Sequence, residues 1–449
     1  MTEAIYATVN SLTTNPTNKK MTWQRVKLGE IASNIQTGPF GSQLHQSDYS
    51  ENGTPVVMPK DLAEGKISEA TIARVSADHV DRLSRHKIEP GDILYSRRGD
   101  VGRCAYAGSR ESGWLCGTGC LRVTINTLLA YPKFIFYQLQ TASSIGWVEK
   151  HAIGATMLNI NTSILAEIPL LLPPLPEQRR IADILSAYDD LIENNRKQIK
   201  LLEETARRLY KEWFIDLRFP GHDHTPIIND IPDGWEEKTL GDIIDFEIGG
   251  GWGSDTPTNE EDAPGYVIRG TDINGITRGS VSTIPFRYHA KSNIASRILK
   301  HGDIIFEVSG GSRNEGVGKA ILMTEPLLSY FNAPVICASF CKLMRLEKPE
   351  LAHYLYESIR FWRSCGRIGE FEKKSASSII NYRWKDFLDQ QSVRIPPDAV
   401  MSQYNDLIVP IYDKIINLSL GIEKNALMRD RLLPKLMNGE IEPLVKNCR

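Results

Sequence analysis

Between residues 181 and 213 seam positions recur at alternating steps of four and three: Ile181, Leu185, Tyr188, Ile192, Asn195, Ile199, Leu202, Ala206, Leu209 and Trp213. This heptad spacing predicts a helix with a narrow stripe, suited to one partner helix rather than to a domain core. Pro176 fits its first turn and Glu177 favours the positive end of its dipole. From Ile181 to Trp213 such a helix runs roughly 50 Å at about 1.5 Å per residue, so it needs a long partner. One is predicted where Tyr404, Ile408, Ile411, Ile415, Leu418, Ile422, Asn425, Arg429, Leu432 and Leu436 repeat the spacing. Pro410 either starts or kinks that helix, and Pro434 should end it. Paired antiparallel about their midpoints, the two would bring Asn195 and Asn425 together. An Asn buried there fixes register at a cost in stability, whereas one at a solvated edge does not.

Elsewhere the pattern is shorter and repeats. Runs such as GDILYS, GCLRVTI, GDIIFEV and PVICASF read as strands joined by turns, and YPKFIFYQLQTASS and LAHYLYESIRFWRSC as helices. TWQRVKLGEI (22–31) recurs as GWEEKTLGDI (234–243), and PGDILYS (90–96) as HGDIIFE (301–307). Trp23 precedes Gly91 by 68 residues and Trp235 precedes Gly302 by 67. Each half then shows Gly-Val-Gly-basic (DVGR, GVGK), an Asn after small polar residues (ATMLNIN, SSIINYR) and a Pro-Pro pair before its helical pattern. A period above 200 residues means a duplicated domain plus helix, not a solenoid. The expected fold is α+β: two repeated α/β domains, each a twisted, mainly antiparallel sheet with helices, separated by two long helices in an antiparallel coiled coil. The expected segments are an N-terminal arm (1–21), a first domain (22–172), a central helix (173–218), a linker and second domain (219–395), and a C-terminal helix and tail (396–449).

Composition changes this picture little. Hydrophobic residues make up 41% and charged residues 24%, ordinary for a globular protein, and no apolar run suggests a membrane span or secretory signal. Seven scattered cysteines favour reduced thiols, hence a cytoplasmic setting. The net charge of −2 argues against nucleic acid unless cations cluster. Residues 22–170 hold 15 Lys+Arg against 14 Asp+Glu, and 219–395 hold 20 against 24. RHK (85–87), SRRGDVGR (96–103) and RFWRSCGR (360–367) with Lys373 and Lys374 are the candidate clusters.

No catalytic constellation is legible. A methyl-donor loop with an Asn/Asp-Pro-Pro-aromatic tetrapeptide is missing, as is a GxxxxGK[ST] phosphate loop. Cys116 with Cys120, and Cys337 with Cys341, lack partners for zinc and read as buried thiols. IGGGWGS (248–254) aligns with QTGPFGS (36–42), either as a loop near DNA or as a structural turn. The Gly-Asp-Ile triplets at 91–93 and 302–304 read as turn-to-strand structure.

The run PPLPEQRRIADILSAYDDLIENNRKQIKLLEETARRLYKEWFIDLRFPGH (173–222) resembles the central region of the specificity subunit of type I restriction-modification systems. RLLPKLMNGEI (431–441) is similar to that family's C-terminal ending, and the resemblance covers nearly all of the chain beyond residue 20. It implies a non-catalytic subunit in which each domain reads half of a bipartite double-stranded DNA target. The helix pair would set the spacing and dock two methyltransferase subunits. S-adenosylmethionine would sit on the methyltransferase partner, and ATP and magnesium on motor-nuclease restriction subunits, with no cofactor or metal on this chain. PPDAVMSQYNDLI (396–408) departs from the family pattern in lacking the Glu-Gln opening of Glu177 and Gln178, so it leaves the second helix's length open.

Base reading calls for Arg or Lys on guanine, Asn or Gln on adenine, and hydroxyls on phosphate. The candidates are Ser42, Arg97, Arg98, Thr156 and Asn159 in the first half. In the second they are Trp252, Ser254, Arg313, Asn314, Lys373, Lys374, Ser378 and Asn381. The alternative class is a scaffold protein that assembles partners through its coiled coil without binding nucleic acid, supported by the near-neutral charge. A degenerate enzyme is the third.

Overall fold

The computed structural model describes residues 23–154, 156–310, 316–374 and 379–443; the expected N-terminal arm lies outside them. The described residues form two units, one up to Asp189 and again from Met428, the other from Asp190 to Leu427. Each contains one half of the sequence repeat and part of both long helices.

The same framework is built twice. In the first unit a four-stranded antiparallel sheet runs in the order Ala32–Thr37, Cys120–Ile125, Ile93–Ser96, Cys104–Tyr106. In the second the order is Ile244–Gly249, Cys341–Leu346, Ile304–Glu307, Ala320–Leu322. The strands that follow Gly-Asp, ILYS and IIFE, are buried at every position, which is why their sequences do not alternate. Each unit also has a smaller sheet with one parallel pair, Leu115–Cys116 on Thr54–Val57 and Val335–Cys337 on Ala263–Ile268. Finally, the first strand of each half pairs antiparallel with the last: Gln24–Lys27 with Pro169–Leu172, and Glu236–Thr239 with Ser392–Ile395.

The repeated Gly-Asp-Ile triplets are turn structure. Gly91 has φ +97° and Gly302 φ +84°, a region open to glycine. The following carboxylates are buried and accept backbone N–H groups at the turn, Asp92 from Glu89 at 2.8 Å and Asp303 from Lys300 at 2.6 Å. Cys116, Cys120, Cys337 and Cys341 are buried thiols, and burial pushes Cys116 and Cys337 up to about 12.

One helical segment departs from the sequence reading. YPKFIFYQLQTASS is two helices, Pro132–Leu139 and the start of Ala142–His151, because the Thr141 hydroxyl caps the second by accepting from Ser144 N.

The first long helix spans Leu175–Tyr210, 36 residues, and passes into a π-turn at Lys211–Ile215. Its Glu-Gln opening has a role that periodicity could not reveal. The Gln178 amide accepts from Tyr131 N at 2.8 Å and donates to the Pro173 carbonyl at 2.7 Å, tying the helix start to the first domain. The second long helix spans Asp398–Met437, 40 residues, without that opening. It neither starts at Pro410 nor ends at Pro434. Pro410 is exposed, so the carbonyl it leaves unpaired can turn to water, and the last turn beyond Pro434 still bonds, Asn438 N to the Pro434 carbonyl.

The helices pair antiparallel inside each unit. In the first, Ile181, Ala182 and Leu185 share a core with Leu436 and Met437, and Arg429 meets Asp189 at 2.7 Å. In the second, Ile192, Ile199 and Ala206 join Ile408, Ile415, Leu418 and Ile422 in one core. Tyr188, Leu202 and Leu209 are half-buried beside these seams. The expected meeting of Asn195 with Asn425 is replaced by a shifted contact: the Asn195 amide donates to the Leu418 carbonyl at 3.4 Å. Gly421 leaves the room, since a Cβ there would stand 3.1 Å from the Asn195 amide nitrogen. Asn425 is half-buried.

The buried faces are also wider than a two-helix seam. Ile416 enters the core of the second domain with Ile268 and Ile305, and the buried Ser419 hydroxyl donates to the Ile276 carbonyl and accepts from Gly279 N. Residues beside the predicted stripe therefore seat the second long helix on a domain core as well.

A polar cluster inside the second unit adds a pH dependence. Glu357 is buried, receives the Tyr412 hydroxyl from the second long helix, and pairs with Arg360, which also meets Glu203 of the first. Burial outweighs Arg360 and raises the Glu357 pKa from its ordinary 4.5 to about 7. A carboxyl with a raised folded-state pKa contributes stability that is full below pH 4.5 and is lost as pH rises through about 7. Urea midpoints measured from pH 4.5 to 8 should therefore fall for the wild-type chain relative to Glu357→Gln, by about one proton's worth of slope. Parallel profiles would sink this account.

Candidate nucleic-acid interface

Three surface segments of each half are brought together by backbone contacts, and the arrangement is the same in both. In the first unit the loop after strand Ala32–Thr37 carries Gly38, whose N–H donates to the Cys120 carbonyl at 2.9 Å. A Cβ on Gly38 would sit 2.0 Å from the Gly117 oxygen, so only glycine allows this approach. The turn at 117–120 in turn holds the next segment, Arg97 N donating to the Gly119 carbonyl at 2.8 Å. Arg98 then bridges Asn159, and Asn159 bridges Ile153.

The second unit matches this step for step. Gly250 donates to the Cys341 carbonyl at 3.1 Å, and a Cβ there would lie 2.1 Å from the Ala338 oxygen. The turn at 338–341 holds Val308, whose N–H donates to the Phe340 carbonyl at 2.9 Å. Ser309 pairs with Asn381, and Asn381 with Lys373. Asn159 and Asn381 thus occupy one structural position, as do Arg98 and Ser309, and Ile153 and Lys373. The glycine-rich loops, left open between a turn and a contact, are held in place by these two glycines and present their tips outward.

Of the candidate residues, Arg98, Thr156, Lys373 and Asn381 are exposed on or beside these ladders. Asn159 is half-buried, and its side-chain oxygen, like Arg97 Nε, is buried without a hydrogen-bond partner. Such orphaned polar atoms call for a partner from outside the chain. The Asn381 carboxamide receives the Ser309 hydroxyl at 2.9 Å, which orients it. Ser254 is spent locally, its hydroxyl donating to the Thr256 carbonyl at 2.7 Å. Trp252 stacks on the Arg287 guanidinium at 4.3 Å. Ser42 lies in the turn Gly41–Gln43 and Lys374 ends strand Glu372–Lys374, but their side chains lie outside the description. Arg313, Asn314 and Ser378 lie outside the described residues. Three residues were missed, the half-buried Ser309 and the exposed Phe340 and Phe40: Ser309's partner position was unreadable, Phe340 sits on a turn with no signal, and Phe40 could have been found as the counterpart of Trp252 in the aligned loops.

The basic clusters are mostly engaged internally. His86 is buried and neutral at pH 7, its pKa lowered to about 4 by desolvation, and Lys87 faces Asp81. Arg103 pairs with Asp100 at 2.6 Å. Arg360 is held by Glu357, and Arg363 donates to the Val317 carbonyl. Arg85 is exposed but donates to His86 at 3.0 Å. Among the described residues, exposed cations of these clusters include Arg98 and Lys373 on the ladders and Arg367 in the basic run at 360–367. Among the described residues, no group of three or more His, Cys, Asp or Glu could hold a metal ion, and no helix is long and apolar enough to cross a membrane.

Residues 20–204 match the family model described as type I restriction modification DNA specificity domain. Over 424 residues, 92% of this chain and 91% of its relative, the sequence is 27% identical to the type I restriction enzyme MjaIX specificity subunit of Methanocaldococcus jannaschii. It is 26% identical over 199 residues, 43% of this chain and 41% of the other, to the HindI specificity subunit of Haemophilus influenzae. In fold it is similar to the crystal structure of the S subunit of a type I restriction-modification system from M. genitalium, with a TM-score of 0.61 at 16% identity, covering 94% of this chain and 98% of that one. With its duplicated α+β framework and paired long helices, the chain is similar to the specificity subunits of type I restriction-modification systems, and residues 20–204 match their DNA specificity domain.

Proposed function

We propose that this chain is the non-catalytic DNA-reading subunit of a type I methyltransferase and restriction complex. Each unit reads one half of a bipartite double-stranded target, and the long helices that run through both units set the distance between the half-sites. The observation that carries this reading is the repeated ladder, with an Asn in the same position of both units among residues that otherwise differ. A shared frame bearing different side chains is what two readers of different sequences need.

Two methyltransferase subunits would dock on the helix pair. Leu191, Leu201, Leu407 and Leu427 stay exposed on the helices of the second unit, and apolar side chains of this size on a polar helix face suit a covering partner. S-adenosylmethionine would then belong to those subunits, and ATP with magnesium to restriction subunits, all in the cytoplasm. Base contacts would come from Arg98, Asn159, Lys373 and Asn381.

The test uses the complex of the full chain with its methyltransferase subunits. Mapping methylated positions in the host genome gives the two half-sites. Affinity for that duplex should drop at least about tenfold when the spacer is lengthened or shortened by one or two base pairs, since each pair adds 3.4 Å and about a tenth of a turn. Equal affinity across spacers would remove the ruler, and binding insensitive to salt would remove phosphate contact altogether.

A further inference from the structure

The loops that cross at Gly38 and Gly250 share a feature that hydrogen-bonded base reading leaves unused. Each is held against its unit at that glycine and two residues later carries an exposed aromatic ring. Gly38 and Pro39 are buried while Phe40 is 57% exposed. The Pro39 carbonyl is pinned by the Thr118 hydroxyl at 2.7 Å, so the ring projects from a braced base. At the matching position Trp252 is 40% exposed, one face resting on the Arg287 guanidinium. Arg287 is itself buried and fixed by the Trp252 and Gly253 carbonyls and by Asp255. In both loops the next residue is a left-handed glycine, Gly41 at φ +60° and Gly253 at φ +70°, which turns the chain sharply back and leaves the ring at the apex.

The surroundings agree. Ile153 and Met157 in the first unit are 65% and 62% exposed, and Phe340 in the second is 60% exposed. Each lies on the segments that the backbone contacts join to its ring. Braced apolar groups among Asn and Arg or Lys side chains match the way proteins enter a duplex at a deformed step: polar groups read edges while an apolar wedge enters a partly unstacked base step.

We infer that Phe40 and Trp252 are equivalent wedges, each stacking on a base at one unstacked step of its own half-site in double-stranded DNA. This rests on the DNA-reading function above and adds to it that each half-site contains a step selected for deformability rather than by hydrogen bonds.

2-Aminopurine, placed in turn along both half-sites of the mapped duplex and bound by the complex of the full chain with its methyltransferase subunits, reports unstacking step by step. Fluorescence should rise at one step in each half-site, apart from any base drawn out for methylation. Phe40→Ala should abolish the rise in one half-site only and weaken binding about tenfold, and Trp252→Ala should do so in the other. Phe40→Leu, which keeps an apolar wedge, should retain the signal. Should Trp252→Ala lower the melting temperature by uncovering Arg287, Trp252→Gln keeps a longer side chain beside the guanidinium without the ring and should still lose the signal. Alanine variants with wild-type fluorescence and affinity, spacer dependence intact, overturn the wedges and leave DNA reading standing. A wild-type complex that binds no duplex removes the reading itself.

Discussion

Phe214→Ala should lower the stability of the second unit by about 4 kcal/mol, more than any single DNA contact is worth. Phe214 is buried in the π-turn that ends the first long helix, and its ring touches aromatic side chains from four places in the sequence. Tyr210 lies at 5.5 Å, Trp235 at 5.9 Å, Tyr354 edge-on at 4.7 Å and Tyr404 edge-on at 4.8 Å. These come from the first helix, the start of the second half, the helix Ala352–Ser364 and the second long helix. Removing the ring opens a cavity among side chains that each need its edge or face, so the gap cannot close by one rotamer change. Denaturant unfolding followed by tryptophan emission is a direct readout, because Trp213 and Trp235 both touch the ring. Phe214→Leu should recover more than half of the loss, and a loss under about 1 kcal/mol for alanine would show that the π-turn is not the junction described here.

Asp303→Ala should cost about 3 kcal/mol, whereas Asp92→Asn at the equivalent position of the first unit should cost much less. Asp303 is 1% exposed and accepts both arms of Arg345, at 2.6 and 2.8 Å, besides Lys300 N. Alanine leaves a half-buried guanidinium and a turn N–H unpaired. In the first unit the strand position facing the carboxylate is Thr124, whose hydroxyl donates at 2.5 Å, with Arg122 standing back at 3.7 Å. A hydroxyl can rotate to donate to the amide oxygen or accept from its NH2, whereas a guanidinium carries donors only. Burial already raises the pKa of Asp92, so the neutral form suits that site. Melting curves of the two variants decide this: equal losses would mean that the turn, not the facing strand, sets the energetics.

The frame was far more legible in the sequence than the surface. The repeat of Trp-Leu-Gly-Ile and Gly-Asp-Ile gave away the duplication, and the Gly-Asp-Ile residues meet needs fixed by backbone geometry, a positive φ and a turn carboxylate, that recur wherever the fold recurs. The heptad exposed both long helices for the same reason. The prolines misplaced the bounds of the second helix, because Pro410 and Pro434 both face solvent and cost less than interior prolines. The heptad also missed that Ile416 and Ser419, off the seam, seat the helix on a domain core. The shift from Asn195 against Asn425 to Asn195 against Leu418 depends on Gly421, a gap that periodicity counts as nothing. On the candidate interface, Asn159 and Asn381 could be aligned from sequence, but their pairing with Arg98 and Ser309 depends on bridges between segments some 60 to 70 residues apart.

The strand ladders that join the beginning of each half to its end, Gln24–Lys27 on Pro169–Leu172 and Glu236–Thr239 on Ser392–Ile395, have an evolutionary consequence. Each half is a closed loop of chain that enters and leaves through a single clasp, so residues inserted or deleted within it do not propagate into the helix that follows. The second copy already carries extra residues before its Gly-Val-Gly-Lys step and still closes with the same clasp. On the proposed DNA-reading function, target preference could therefore drift by trial within a half while the register of the downstream helix stays put.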